Sequence, residues 1–183
     1  MKVISGGQTG ADCAGLWAAK LFGIETGGWA PKNFETLLGP KPEMADTFGI
    51  KEHKRGYRGR TIENLSEADL TIICYSTLSA GSRLTIEQCK TLNKKHIIIN
   101  FDPNDMNGSL NQPKIVTFFE ELSRANKLGL DMTLNVAGNS SNNSSRAFEF
   151  VFKMLCKVFT DLGYTSHSEI RSSSYLTYQD KWE

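Results

Sequence analysis

The amino-acid sequence predicts an α/β fold in which a doubly wound, mainly parallel sheet has helices on both faces. Short apolar runs typical of buried strands alternate along the chain with longer segments of helical periodicity. Each long helical segment joins two predicted strands, and right-handed crossovers then place helices on both faces of the sheet. The first strand also leads directly into a glycine-rich turn that opens a helix, which is typical of such sheets.

The first third of the chain predicts a strand, a helix, a short strand and an irregular segment. Val3 and Ile4 indicate a buried strand over residues 2–5, and the apolar stripe of Ala14, Leu16 and Trp17 indicates a helix over residues 10–22. A short strand follows near residues 25–29. Residues 30–60 contain three prolines and no long apolar period, so we predict no long element there.

The rest of the chain alternates regularly. Predicted strands cover residues 69–75, 96–101 and 131–137, each an apolar run of strand length. Predicted helices cover residues 59–67, 81–94, 112–127 and 144–162.

Length and composition predict one domain over residues 1–163 and a C-terminal tail over residues 164–183. A chain of 183 residues with 39% hydrophobic content suffices for one core and is short for two. The 21 basic and 20 acidic residues nearly balance, so we expect neither nucleic acid nor a membrane as partner. No apolar run of signal or membrane-spanning length occurs, which predicts a cytoplasmic protein.

The four cysteines are far apart and form no CxxC pair, so the pattern predicts buried, reduced thiols rather than disulfides or a zinc site. Cys13 lies in the first turn of the helix after the glycine loop. A lowered thiol pKa and simple packing against the sheet are both compatible with that position.

The segment from Ser5 to Asp12 predicts an anion site, with phosphate as the expected occupant. Gly6, Gly7 and Gly10 let the backbone approach a ligand closely, and the start of the following helix favours negative charge. The GGxxG spacing differs from that of dinucleotide and Walker loops. A glycine turn without a ligand is the alternative.

Other polar segments follow the remaining strands, at the sheet edge where ligands bind in such folds. The segments at residues 75–82 and 137–145 are rich in hydroxyl and amide side chains, although the second is equally compatible with a flexible loop. Residues 49–60 carry a basic cluster that predicts either a solvated loop or a lid. In the lid, Arg58 or Arg60 would clamp a phosphate.

Several blocks in order resemble a known family. They are Ile4 to Asp12, Gly27 to Lys32, Arg60 to Asn64, Gly81 to Thr85 and Leu134 to Gly138. Over residues 3–162 the chain resembles the proposed molybdenum carrier proteins, grouped with circularly permuted YpsA-like proteins of the SLOG superfamily. The resemblance implies a Rossmann-like fold related to the LOG proteins, many of which bind nucleotides or nucleotide-derived ligands and some of which cleave the N-glycosidic bond of nucleoside monophosphates. It also implies a homo-oligomer.

The glycine loops and the matching blocks together predict the ligand-binding residues. These are Ser5, Gly6, Gly7, Gln8, Thr9, Gly10, Trp29, Lys32, Arg60, Asn64, Gly81, Ser82, Thr85 and Gly138.

Three functions are compatible with these residues. The first is binding of a nucleotide or nucleotide-like phosphorylated molecule. The second is a LOG-like hydrolase acting on a nucleotide N-glycosidic or phosphate bond, with Asp12 or Glu87 as general base, although only Gly81 and Glu87 correspond to the PGGxGTxxE motif of those enzymes. The third, implied by the resemblance, is a carrier of the molybdenum cofactor, in which the anion sites would hold the phosphate of the pterin. The sequence contains no cluster of thiols or histidines that would predict a metal site. The alternative to a catalytic role for Asp12 is that this residue only caps the helix.

Overall fold

The computed structural model describes residues 1–167. In chain order its elements are β1 (Lys2–Ser5), α1 (Ala11–Leu21), β2 (Glu25–Gly27), β3 (Trp29–Ala30), β4 (Glu35–Thr36), β5 (Gly39–Pro40), α2 (Met44–Phe48), β6 (Lys51–Glu52), α3 (Tyr57–Glu67), β7 (Leu70–Tyr75), α4 (Ala80–Thr91), β8 (His96–Asn100), α5 (Met106–Leu110), α6 (Pro113–Lys127), β9 (Thr133–Gly138) and α7 (Ala147–Asp161).

The predicted α/β fold is confirmed. Within residues 1–167, five strands form a parallel central sheet in the order β2-β1-β9-β7-β8. The chain winds outward from β1 to β2 in one direction and from β7 to β8 in the other. The winding direction therefore changes near the centre of the sheet, and the carboxyl ends of β1, β9 and β7 border that point.

Alternating side chains of the strands divide the core between two faces. Ile72 and Cys74 of β7 belong to the large cluster that contains the apolar faces of α1, α6 and α7. Ile73, between them, packs on the opposite face with Leu65 of α3 and Cys89 of α4. Helices therefore cover both faces, as the crossover argument predicts, and give a Rossmann-like arrangement.

The long helices and strands agree with the predicted positions to within about three residues, whereas the irregular segment contains structure that we did not predict. Residues 28–56, here called the connecting segment, contain β3 paired in parallel with β6, the hairpin β4–β5 and helix α2. Met44, Phe48 and Ile50 are buried, and the Phe48 ring meets that of Trp17 edge to face with centroids 4.8 Å apart. These scattered apolar residues anchor the segment without forming a long periodic pattern.

The first residues of the predicted tail pack against the domain. The Tyr164 ring contacts that of Phe159, and the His167 backbone N–H donates to the Leu21 carbonyl at 3.0 Å. The remainder of the predicted tail, from residue 168 on, lies outside the described residues. In the part of the chain that the structure describes, the helices are too short or too polar to span a bilayer.

Candidate ligand-binding site

A cavity of about 170 Å³ lies at the carboxyl edge of the sheet, where β1 and β9 meet helices α3 and α4. It occupies the position that the change in winding direction predicts. Its lining residues come from four separate segments of the chain: Gln8, Asp12, Tyr57, Arg60, Thr61, Ser79, Gly81, Leu84, Thr85, Ala137, Gly138, Ser140 and Asn143.

The glycines of the first loop make close backbone approaches, but their partners are protein atoms. The guanidinium of Arg60 lies directly against Gly6, in the space that a Cβ would fill. Gly7 has φ +69°, and its missing Cβ would stand 2.6 Å from Sδ of Met44. Gly10, at φ +77°, lies against the backbone of Asn139. The pattern predicts correctly that glycine is needed at these positions. The atoms that approach the glycines belong to the connecting segment, to α3 and to the residues that follow β9.

Several backbone N–H groups of the first loop are bonded within the chain. Gly7 N–H donates to Ser5 Oγ at 3.2 Å, and Thr9 N–H donates to Gln8 Oε1 at 3.0 Å. Gln8 N–H donates to Oδ2 of Asp12 at 3.3 Å. The Asp12 carboxylate therefore stands where an anion bound by this loop would stand.

Asp12 forms an ion pair with Arg60. Its Oδ2 lies 3.3 Å from Nη1 of Arg60, and the two side chains are 5% and 14% exposed. Burial raises the pKa of the Asp12 carboxyl above its ordinary value, while the Arg60 charge and the backbone N–H groups of Gln8 and Gly6 act in the opposite direction. Buried Nε of Arg60 has no hydrogen-bond acceptor within residues 1–167. Arg60 is thus a partly satisfied cation at the cavity wall.

The start of α4 presents donors that have no acceptor among the described residues. Ser79 caps the helix, since its Oγ accepts the N–H of Ser82 at 3.1 Å and its carbonyl accepts the N–H of Arg83 at 2.9 Å. In residues 1–167 no acceptor is bonded to the N–H groups of Ala80 and Gly81. Ser82 and Thr85, both predicted site residues, are buried here, and Thr85 lines the cavity. Gly81, at this helix start, also lines the cavity.

Gln8 has a fixed orientation in the cavity wall. Its Oε1 accepts the N–H groups of Thr9 and of Leu37, at 3.0 and 2.9 Å. Because both partners are donors, the acceptor atom must be the amide oxygen. The side-chain NH₂ of Gln8 has no acceptor among the described residues, so it remains available to a ligand.

Sequence reasoning did not single out Asn139, which holds the loops of the site together. This fully buried side chain accepts the N–H groups of Ser76 and Thr77 and donates to the carbonyl of Thr77. Its backbone carbonyl accepts the N–H of Ala11 at 2.9 Å. The signal available in the sequence is its position, an amide residue directly after the glycine that ends β9.

Nine of the fourteen predicted ligand residues lie outside the cavity lining, among them Asn64, Trp29 and Lys32. The Asn64 side chain bonds both the N–H and the carbonyl of Trp29, each at 2.9 Å, and thereby ties α3 to β3. The Trp29 indole N–H donates to Glu67 at 2.8 Å, and its ring meets that of His53 edge to face. Lys32 is exposed in a short 3₁₀ turn of the connecting segment.

The other predicted residues also include some that line the cavity and some that do not. Ser5 and Thr9 are buried and bonded within the chain, with Thr9 Oγ1 accepting the hydroxyl of Ser141 at 2.9 Å. Gly138 lines the cavity. Of the two candidate general bases, Asp12 lines the cavity, whereas Glu87 is exposed on α4 and is not part of the lining.

The cysteines contribute no polar surface to the cavity. Cys13, Cys74 and Cys89 are buried thiols that form no disulfide among the described residues, and burial raises the pKa of the Cys89 thiol to about 11. Among residues 1–167 no group of three or more His, Cys, Asp or Glu side chains is close enough to hold a metal ion.

The fold and this cavity define a Rossmann-like protein with a small polar site at the carboxyl edge of its sheet. The chain belongs to the circularly permuted YpsA SLOG family, whose model matches residues 3–159. It is similar, at 30% identity and a TM-score of 0.68, to the crystal structure of a proposed molybdenum carrier protein from Syntrophus aciditrophicus SB. That likeness covers 86% of this chain and 93% of the other. No curated protein matches the sequence.

Proposed function

We propose that this protein binds a phosphorylated, nucleotide-like small molecule in the cavity, with the phosphate between Arg60 and the start of α4. The observation that carries the proposal is that, among the described residues, the backbone N–H groups of Ala80 and Gly81 and Nε of Arg60 have no acceptor, at a cavity lined by Gly81 and Arg60.

Both features suit a phosphate. The first N–H groups of a helix and its dipole attract anions, and each charge-assisted hydrogen bond contributes about 1.5 to 3 kcal/mol. Arg60 already pairs with Asp12 through Nη1. Its remaining N–H groups could donate hydrogen bonds to a second anion. The NH₂ group of Gln8 adds a neutral donor suited to a sugar hydroxyl or a phosphate oxygen.

The phosphate could belong to a nucleotide or to a pterin cofactor. The similar protein from Syntrophus aciditrophicus is named for molybdenum carriage, and a carrier of the intact molybdenum cofactor would hold its cargo through the pterin phosphate. Since the same donors would serve both ligands, the ligand must be identified by experiment.

A hydrolase acting on a nucleotide is the second candidate, favoured by one observation. Asp12 is a buried carboxyl at the cavity wall, and burial raises its pKa above the ordinary value, as is common for a general base. Incubation with each nucleoside monophosphate, followed by chromatography for free base and free phosphate, tests this function. Turnover that Asp12→Asn abolishes would support it, and intact nucleotide after prolonged incubation would exclude it for the substrates used.

Native mass spectrometry of the freshly purified protein tests ligand binding directly. A mass increment that is released on denaturation and identified as a nucleotide or a pterin supports the proposal and distinguishes the two ligand classes. If the protein carries no ligand, calorimetric titration with nucleoside monophosphates and with a phosphorylated pterin provides the test. Absence of binding in both experiments would contradict the proposal.

A variant pair tests where the phosphate binds. We expect Arg60→Gln to weaken binding about 10- to 100-fold, because one charge-assisted hydrogen bond is lost. Arg58→Gln is the matched control, since Arg58 lies on the same helix, is exposed and does not line the cavity. Equal affinities of the two variants would refute the assignment of Arg60, provided that urea denaturation shows both to be folded.

A further inference from the structure

We infer that Tyr57 provides the surface on which the planar ring of the ligand stacks, at the mouth of the cavity. This inference rests on the proposed function and adds the residue that contacts the part of the ligand beyond the phosphate site.

The first argument is size. The cavity measures about 170 Å³, whereas sites that enclose whole drug-sized ligands usually measure about 300 to 1,000 Å³. An engineered cavity of about 150 Å³ holds one benzene ring. The enclosed space therefore suits a phosphate and part of a sugar, and the rest of a nucleotide-like molecule must extend through the mouth.

The second argument is the exposed ring of Tyr57. This residue begins α3, lines the cavity and is 45% exposed. Its backbone is fixed because its carbonyl accepts the hydroxyl of Thr61, one turn further, at 2.8 Å. Within residues 1–167 the ring forms no aromatic pair and the phenol forms no hydrogen bond, so one face of a rigid aromatic side chain is left for a partner.

The third argument is the presence of exposed leucines next to residues that line the cavity. Leu78, 39% exposed, directly precedes the cavity residue Ser79. Leu37 and Leu38, 44% and 46% exposed, form the tip of the hairpin β4–β5, and Leu37 N–H is bonded to the cavity residue Gln8. Leu84 itself lines the cavity, so an apolar side chain belongs to the wall that would face a ligand ring.

Calorimetry with matched probes tests the inference. Ribose 5-phosphate supplies phosphate and sugar alone, while AMP, GMP and a phosphorylated pterin add a ring. We expect at least one ring-bearing probe to bind the wild-type protein about tenfold more tightly than ribose 5-phosphate, since stacking on one aromatic side chain gives an effect of this order.

Tyr57→Ala should remove that advantage and leave the affinity for ribose 5-phosphate within about twofold, and Tyr57→Phe should retain it. Leu128→Ala, at an exposed apolar residue beyond the end of α6, is the control and should change neither affinity. Equal losses for ring-bearing and ringless probes in Tyr57→Ala, or no ring advantage in the wild type, would overturn the inference while leaving the phosphate site intact. Failure of every probe to bind the wild type would instead refute the proposed function, and this inference with it.

Discussion

Replacing Asp12 by Asn should strengthen phosphate binding although Asp12 lies in the ligand site. The carboxylate pairs with Arg60 at 3.3 Å and accepts the N–H of Gln8. It therefore competes with a bound phosphate for the same guanidinium and repels the phosphate charge. Asparagine has nearly the same volume and keeps one acceptor for the loop N–H groups, but it carries no charge.

The magnitude follows from the geometry of the pair. A phosphate oxygen on the other donors of Arg60 would lie on the order of 5 Å from the Asp12 carboxylate, where two like charges repel by about 3 kcal/mol at an effective dielectric constant of about 20. Part of this repulsion is offset because Arg60 is less well held in the variant. We therefore expect a net gain of about 1 to 2 kcal/mol, which corresponds to about 5- to 30-fold tighter binding.

The pH dependence provides a second readout. Because burial raises the pKa of Asp12 in the folded protein, the folded state holds this proton more strongly than the unfolded chain does. The carboxyl thus contributes most to stability below its unfolded pKa, and that contribution decreases as the pH rises through the folded pKa. As the pH falls through the folded pKa, the ratio of the Asp12→Asn affinity to the wild-type affinity should decrease toward one.

Calorimetric titration of both proteins with the same phosphorylated ligand across this pH range measures the ratio of the two affinities. Protonation of the ligand itself changes both affinities equally and therefore leaves the ratio unchanged. Asp69→Asn is the matched control, since the Asp69 carboxylate accepts the N–H of Thr133 at the opposite edge of the sheet. Weaker or unchanged binding by a folded Asp12→Asn at neutral pH would refute the reasoning.

Three further predictions concern the structure around the site, and urea denaturation checks the stability of each variant. Asn139→Ala should lower the free energy of unfolding by about 2 to 4 kcal/mol, because three hydrogen bonds to Ser76 and Thr77 are lost in a buried position; a change below about 1 kcal/mol would contradict its role. Asn64→Ala should cost about 2 to 3 kcal/mol, since it leaves the N–H and carbonyl of Trp29 without partners, and no ligand affinity should be lost beyond what unfolding explains. Gly7→Ala should cost about 1 to 3 kcal/mol through its positive φ and the contact with Met44, yet it should leave phosphate affinity unchanged in the folded fraction. A selective loss of phosphate binding in Gly7→Ala would place the ligand at the first loop instead.

Local patterns in the sequence suffice to predict the strands of the central sheet, because each strand is a short apolar run. Leu70 to Cys74 is an example, in which alternate residues serve the two helical layers. The short elements of residues 28–56 are not predictable in this way. Met44, Phe48 and Ile50 form no periodic pattern, and they are ordered by contacts with Trp17 and Gly7, which are distant in the sequence.

The candidate site is predictable in position but not in its internal pairing. Glycines before a helix predict close approach, and the structure has it, yet sequence cannot tell a ligand from Arg60 or Met44 as the neighbour. The ion pair between Asp12 and Arg60 joins segments that are distant in the sequence. The proposed roles of Tyr57 and Asn139 depend on tertiary contacts: Tyr57 lines the cavity, and the Asn139 side chain bonds the backbone of Ser76 and Thr77.

The central claim is that a phosphate binds between Arg60 and the start of α4, and amide NMR tests it most directly. A ¹H–¹⁵N spectrum of the full-length protein, titrated with the phosphorylated ligand identified by mass spectrometry or calorimetry, reports each donor separately. We predict that the largest changes occur at the backbone amides of Ala80 and Gly81 and at Nε–H of Arg60, with smaller changes at Gly7 and Thr9. Changes concentrated at Gly7 and Thr9, with Ala80 and Gly81 unaffected, would contradict this account.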